Sequence, residues 1–222
     1  MMILMTITSN LRLLSHEYNQ NHYSDEWEIY KRKKRKKLEI QEPSIIASNC
    51  VGTFIYSDMN LRWCSPTIKL MIEMPDFVKF VEKLDWYLEQ NITFIDDPDH
   101  EYPVGMLGDI KLFFVHYKTP EEALEKWETR KRRIDSNNLY IIGCEKDGCT
   151  YETIQRFDKL PYKNKAILTK QEYPEFSSAW YLPGFEDCEA LGTVTNFKDQ
   201  FAKRRYMDDF DYITFLNNGV NK

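Results

Sequence analysis

Between residues 44 and 182, short apolar runs alternate with longer segments whose apolar residues recur every three or four positions. Ser44–Ser48 reads as a short buried strand, and Gly52–Met59 suits a helix. Thr67–Met74 is an apolar run of undecided type. Pro75 opens the strongest helix pattern, running to Asn91, with Pro in the first turn and Asp76 near the positive end of the dipole. Phe77, Phe80, Val81, Leu84 and Leu88 make its apolar stripe. Ile92–Ile95 then predicts a strand, residues 96–109 a loop, and Ile110–Tyr117 a second strand. Thr119-Pro120-Glu121-Glu122 carries the signals of a helix start, and that helix runs to Ile134 with basic last turns. Leu139–Gly143, Lys165–Thr169 and Ser178–Leu182 predict further strands. A helix capped by Thr150 runs to Leu160 between the first two. Beyond Glu186 the chain reads as loops with helical turns. Strands alternating with helices predict an α/β fold, a layered mixed sheet with flanking helices, in one main domain spanning 44–222.

Residues 1–43 read differently, as an appended arm. Leu11, Leu14 and Tyr18, then Trp27 and Tyr30, give only patchy helical spacing before Pro43. The arm holds the run KRKKRKK, Lys31 to Lys37. The whole chain carries a net charge of −5, so the remainder is more acidic than the total. An acidic body with one basic patch is not the profile of a sequence-specific nucleic-acid binder. The patch suits either a solvated helix end or contact with an anionic surface or polymer. No apolar run reaches the ~18 residues of a membrane span, and the start lacks the pattern of a secretory signal. These features predict a cytoplasmic protein, membrane-peripheral at most. At 42% hydrophobic and 14% aromatic, the composition can build a full core.

The five cysteines, Cys50, Cys64, Cys144, Cys149 and Cys188, are odd in number and scattered, which fits thiols better than a disulfide framework. Cys144 and Cys149 stand four residues apart without a second ligand pair, so no metal site is expected. Cys50 has the most suggestive setting. It follows a strand, precedes a helix, and is flanked by Ser48, Asn49 and Gly52. A helix N-terminus favours thiolate, and small polar neighbours can steady an oxyanion. A nucleophile needs a base, and His116 is the best-placed histidine. Asp109 stands seven residues before it, about 23 Å along extended chain at ~3.3 Å per residue, too far to orient it. Asn137, Asn138 and Asp147 remain as orienters. The plainer alternative is a packed cysteine and a strand-end histidine bonded to backbone.

The blocks SNCVG (48–52), IYSDMNLRWCSPT (55–67), YPVGMLGDIKLFFVHY (102–117), WETRKRRI (127–134) and DGCTYETIQRFDKLPYKNK (147–165) occur in order. Together they resemble a bacterial family of exopolysaccharide or capsule biosynthesis proteins, over roughly residues 44–217 and excluding the basic arm. Thr53 departs from the second glycine usual there. The resemblance implies surface-polysaccharide assembly, acting on a glycan or an activated sugar precursor, without naming a reaction. Within these blocks Ser65, Tyr102 and Asp109 become candidate substrate contacts. The order of cysteine, then strand histidine, is also similar to papain-like thiol enzymes.

Two further constellations suit a sugar ligand. Trp127, Arg130 and Arg133 share related faces of one helix, where an indole can stack on a sugar and guanidinium groups can grip phosphate or carboxylate. The alternative is an aromatic in the core with arginines in water. Asp97-Pro98-Asp99 has the spacing of a glycosyltransferase metal motif, and it is also ordinary turn chemistry. Neither a dinucleotide fingerprint nor a phosphate loop is present, so no cofactor is assigned. The alternative functions are a glycan-binding scaffold and a sugar-nucleotide-dependent transferase.

Overall fold

The computed structural model describes residues 25–198 and 204–218, so the expected helical spacing at Leu11, Leu14 and Tyr18 lies outside the described residues. The protein is a mixed α/β structure. Its parallel and antiparallel strands lie in two separate sheets. The larger sheet holds β1 (Ser44–Ala47), β5 (Leu139–Cys144), β6 (Lys165–Thr169) and β7 (Ala179–Tyr181). The strands are all parallel and lie side by side in chain order. The smaller sheet is an antiparallel meander of β2 (Ile92–Ile95), β3 (Val104–Leu107) and β4 (Ile110–Phe113).

The twofold alternation of strand side chains explains why the parallel sheet separates two cores. Ile46, Ile141, Ile167 and Ala179 point to one face. There they meet α3 (Met74–Glu82), α4 (Leu84–Glu89), α5 (Pro120–Lys131), α6 (Tyr151–Asp158) and the antiparallel sheet. Ile45, Ala47, Tyr140, Ile142, Cys144, Ala166 and Leu168 point to the other, against α2 (Val51–Met59) and α7 (Tyr212–Asn218). Burial on both faces is why these strands read as continuous apolar runs.

The predicted helix 75–91 is two helices. Lys83, at φ −133° and ψ 43°, separates α3 from α4. The Val81 carbonyl just before the break accepts a hydrogen bond from the Tyr162 hydroxyl. The redirected α4 lays Trp86 and Tyr87 against the β3–β4 turn. Strand β3 was expected to be loop. Gly105 lies within it because a Cβ there would come within 2.6 Å of Ile92 Cγ2 on the neighbouring strand. Gly108, at φ +61°, makes the turn itself. The expected strand 110–117 stops at Phe113, and a turn closed by Tyr117 N–H to the Phe114 carbonyl carries His116 off the sheet.

The basic run lies largely on a helix, α1, over residues 25–35, continued by a turn at 36–37. Its two faces differ. Lys34 donates to Asp208 at 2.7 Å and stands over the Tyr212 ring at 3.8 Å. Arg35 donates to the Asp58 carbonyl, and Lys31 pairs with Glu28. Arg32, Lys33, Lys36 and Lys37 are exposed. Lys34 and Arg35 therefore dock the helix on the body, and four of the seven residues face water. No helix among the described residues is long and apolar enough to cross a membrane.

Candidate functional site

Open α/β sheets tend to bind ligands beyond the carboxyl ends of their strands. Here β1 ends in Ser48-Asn49-Cys50, which turns into α2. The Asn49 Oδ1 accepts the Val51 N–H at 3.1 Å, fixing the corner. Cys50 is the N-cap residue of α2, and its side chain makes no capping bond. Helical spacing places Thr53 and Phe54 on its face.

The chain between β1 and α3 joins this corner to β4. The Ile72 N–H reaches the Ser48 carbonyl, and Met71 exchanges both backbone hydrogen bonds with Phe113. The Thr53 hydroxyl accepts the Lys69 N–H at 2.8 Å, and the Tyr117 hydroxyl donates to the Ile68 carbonyl at 2.8 Å. These bonds set Cys50, Thr53 and Phe54 opposite the turn of Val115, His116, Tyr117 and Lys118. Lys69 lies between them. The space enclosed is an open groove of about 550 Å³, in the range of ligand sites.

Cys50 and His116 therefore line one groove. No hydrogen bond joins them, and His116 is exposed on its turn. The expected lowering of the Cys50 thiol pKa does not occur. Burial pushes it above its ordinary value, and the nearby Lys146 and Lys69 only oppose that rise. Among the described residues no hydrogen bond joins His116 to any of the expected orienters. Asn138 donates to the carbonyls of Gln41 and Glu42, the Asn137 N–H bonds Asp135, and Asp147 lies 3.7 Å from Lys146.

The other expected contacts divide sharply. Ser48 and Asn49 lie beside the buried Cys144 thiol, which burial pushes up to about 12. Among the described residues the Ser48 hydroxyl finds no nitrogen or oxygen partner and has the Cys144 thiol beside it. Gly52 serves packing, because a Cβ there would stand 3.0 Å from Ala47 Cβ. Ser65 is buried and bonds the Thr67 hydroxyl at 3.0 Å, and Thr67 in turn accepts the Ala47 N–H. This pins the loop to β1 and leaves Ser65 away from the groove. The Tyr102 ring packs against His100 at a tilt of 47°, with centroids 5.0 Å apart. Asp109 accepts from Tyr87 at 2.6 Å in a separate cleft of about 230 Å³.

Trp127 is a core residue, 1% exposed between Phe80 and Phe114, so it cannot stack on a sugar. Arg130 also faces inward, 6% exposed, donating to the Tyr117 hydroxyl and stacked on Trp63 at 4.6 Å. Arg133 donates to the Trp63 carbonyl at 3.0 Å. Asp97 is held by the His100 ring at 3.1 Å and by the Asp99 N–H at 3.3 Å, an Asx turn with Lys111 nearby. That leaves the turn reading of Asp97-Pro98-Asp99.

Comparison with protein families matches residues 21–217 to the family described as Domain of unknown function, DUF1919. The chain belongs to that family. The match begins before Lys31 and so takes in the basic helix, which the resemblance to polysaccharide proteins had left out. A relative from Haemophilus influenzae, named only Uncharacterized protein, is 40% identical over 183 residues. The alignment covers 82% of this chain and 88% of that one.

Lys69, Thr53, Phe54, Val115, Tyr117 and Lys118 were not expected at the site. Thr53 and Phe54 were accessible from helical spacing relative to Cys50. Lys69 carried a fainter signal, as the one cation in the apolar run 67–74.

Proposed function

We propose that this protein acts in surface-polysaccharide production, on a glycan or its activated precursor, by Cys50-dependent group transfer in the groove shared with His116. The observation that carries the reading is that a thiol and an imidazole far apart in sequence line the same 550 Å³ groove. The polysaccharide setting is supported by the ordered sequence blocks around them. The exposed cations Arg32, Lys33, Lys36 and Lys37 suit a cytoplasmic protein held at an anionic membrane surface.

The thiol is neutral at rest, so the proton must leave as the sulfur attacks. His116 takes the Cys50 proton while the sulfur bonds to the acyl carbon of a donor. The bond from that carbon to the leaving oxygen breaks, and the imidazolium returns the proton to the leaving group. A glycan hydroxyl then attacks the thioester and gives its proton to His116. The C–S bond breaks, and the proton passes back to sulfur. Val115, Phe54 and Tyr117 supply apolar wall for a sugar ring.

A second reading, a glycan-binding scaffold without chemistry, is favoured by the raised thiol pKa and the missing Cys50–His116 hydrogen bond. A sugar-nucleotide transferase is less well supported, since Asp97 is engaged within its own turn. Deleting the gene and measuring the amount and composition of surface polymer tests the setting. A changed polymer is expected, and an unchanged one would overturn both polysaccharide readings.

A further inference from the structure

The charged side chains that line the groove are both cations. Lys69 and Lys118 line it and neither side-chain ammonium forms an ion pair among the described residues, while the Glu122 carboxylate just outside accepts the Lys118 backbone N–H at 3.3 Å. Such a lining is unusual in a chain with 35 acidic residues against 30 Lys and Arg. Behind the wall, buried Arg130 donates to Tyr117, and no carboxylate among the described residues pairs with it. Buried cations are normally paired, because removal of a charge from water is costly. Arg130 and Lys69 also share the Trp63 ring, at 4.6 and 5.5 Å.

Lys69 bears a second mark. Its backbone is left-handed at φ +61°, a conformation disfavoured for a non-glycine residue. The Thr53 hydroxyl on its N–H holds it there. Glu42, Asn60 and Asp147 share a positive φ, and among these residues Lys69 is the one that lines the groove. Such strain is retained where the surroundings hold a side chain in place, here a cation at the mouth of a groove.

We propose that the groove binds an oxyanion of the ligand, with Lys69 and Lys118 as direct contacts and Arg130 adding positive potential from behind Tyr117. The inference rests on the reading of this groove as the functional site and gives its ligand a charge. Two sources offer such a group, the phosphate of an activated sugar precursor and the carboxylate of an acidic sugar.

Isothermal titration of the full-length protein at low ionic strength, with inorganic pyrophosphate and separately with glucuronate, tests the proposal. Binding in the millimolar range or tighter is expected for at least one anion. A preference for pyrophosphate assigns the phosphate source, and a preference for glucuronate assigns the carboxylate. Lys118→Gln, and Lys69→Asn, which keeps a residue tolerant of left-handed backbone, should each weaken binding by about fivefold or more. Lys163→Gln, at an exposed site elsewhere, should change nothing. Titration reads binding without turnover, whereas the thiol reaction is read by polymer in the cell, so failure of one and failure of the other are distinguished. No binding of either anion at about 10 mM, or affinities unmoved by both lysine variants, would overturn the inference.

Discussion

Gly52→Ala separates a packing glycine from a ligand-approach glycine. The added Cβ would stand 3.0 Å from Ala47 Cβ and 3.5 Å from Ile45 Cγ2. Carbon atoms prefer about 3.5–4.0 Å, so the first contact is short by at least ~0.5 Å. Ala47 is 1% exposed and lies in register with Ile142 on β5, so it has little freedom to retreat. Alanine in a helix interior gains about 1 kcal/mol over glycine, whereas overpacking a rigid core costs about 1–3 kcal/mol. The net expectation is a loss of about 1 kcal/mol, opposite in sign to the same change on an exposed helix. Urea denaturation followed by circular dichroism reads it as a lower midpoint at unchanged slope. Adding Ala47→Gly removes the opposing Cβ, and the double variant should recover at least ~0.5 kcal/mol relative to the sum of the singles. A Gly52→Ala protein as stable as the parent, with weakened pyrophosphate binding, would refute the packing argument.

Because burial raises the Cys50 thiol pKa, iodoacetamide should label Cys50 more slowly at neutral pH than exposed Cys188, with its rise displaced to higher pH. Lys69→Asn removes a cation that favours thiolate and should displace that rise further upward. Faster labelling of Cys50 than Cys188 at pH 7, read by peptide mass spectrometry, would contradict this. Trp127→Ala should cost about 3–5 kcal/mol in urea denaturation; a loss under 1 kcal/mol would place the indole outside the core. Replacing Arg32, Lys33, Lys36 and Lys37 by Gln should reduce salt-sensitive co-sedimentation with anionic vesicles and leave thermal stability unchanged. Lys34→Ala should instead cost about 1–3 kcal/mol by taking the paired cation from Asp208, whose side chain is 1% exposed and keeps the Arg205 N–H. Equal vesicle binding by parent and quadruple variant would remove the exposed face from membrane contact.

The sequence exposed most of the larger sheet because its strands are buried on both faces and stand out as apolar runs. Capped helices were equally legible: Thr119 and Thr150 accept the N–H groups of Glu122 and Thr153 as their spacing predicts. Strand β3 was not, since its Gly105 answers to Ile92 on another strand, a contact no local pattern encodes. Lys83 gives no sign of the break between α3 and α4, because the hydroxyl at the break comes from distant Tyr162. At the site, the Cys50 corner and His116 could be chosen by chemistry. Trp127 and Arg130 were chosen for their residue types, and tertiary packing turned both inward. Lys69 was only faintly marked because its position depends on the hydrogen bond its N–H donates to the Thr53 hydroxyl and on the pairing of Met71 with Phe113.

Group transfer by Cys50 with His116 is tested most directly by replacing the chromosomal gene with Cys50→Ala and His116→Gln alleles. Surface polymer is then measured per unit of the protein present. Loss of polymer to the level of the gene deletion in both strains, with normal protein abundance, is the predicted result. Full polymer from the Cys50→Ala strain, where the deletion strain makes none, would contradict thiol chemistry and leave the groove as a binding site.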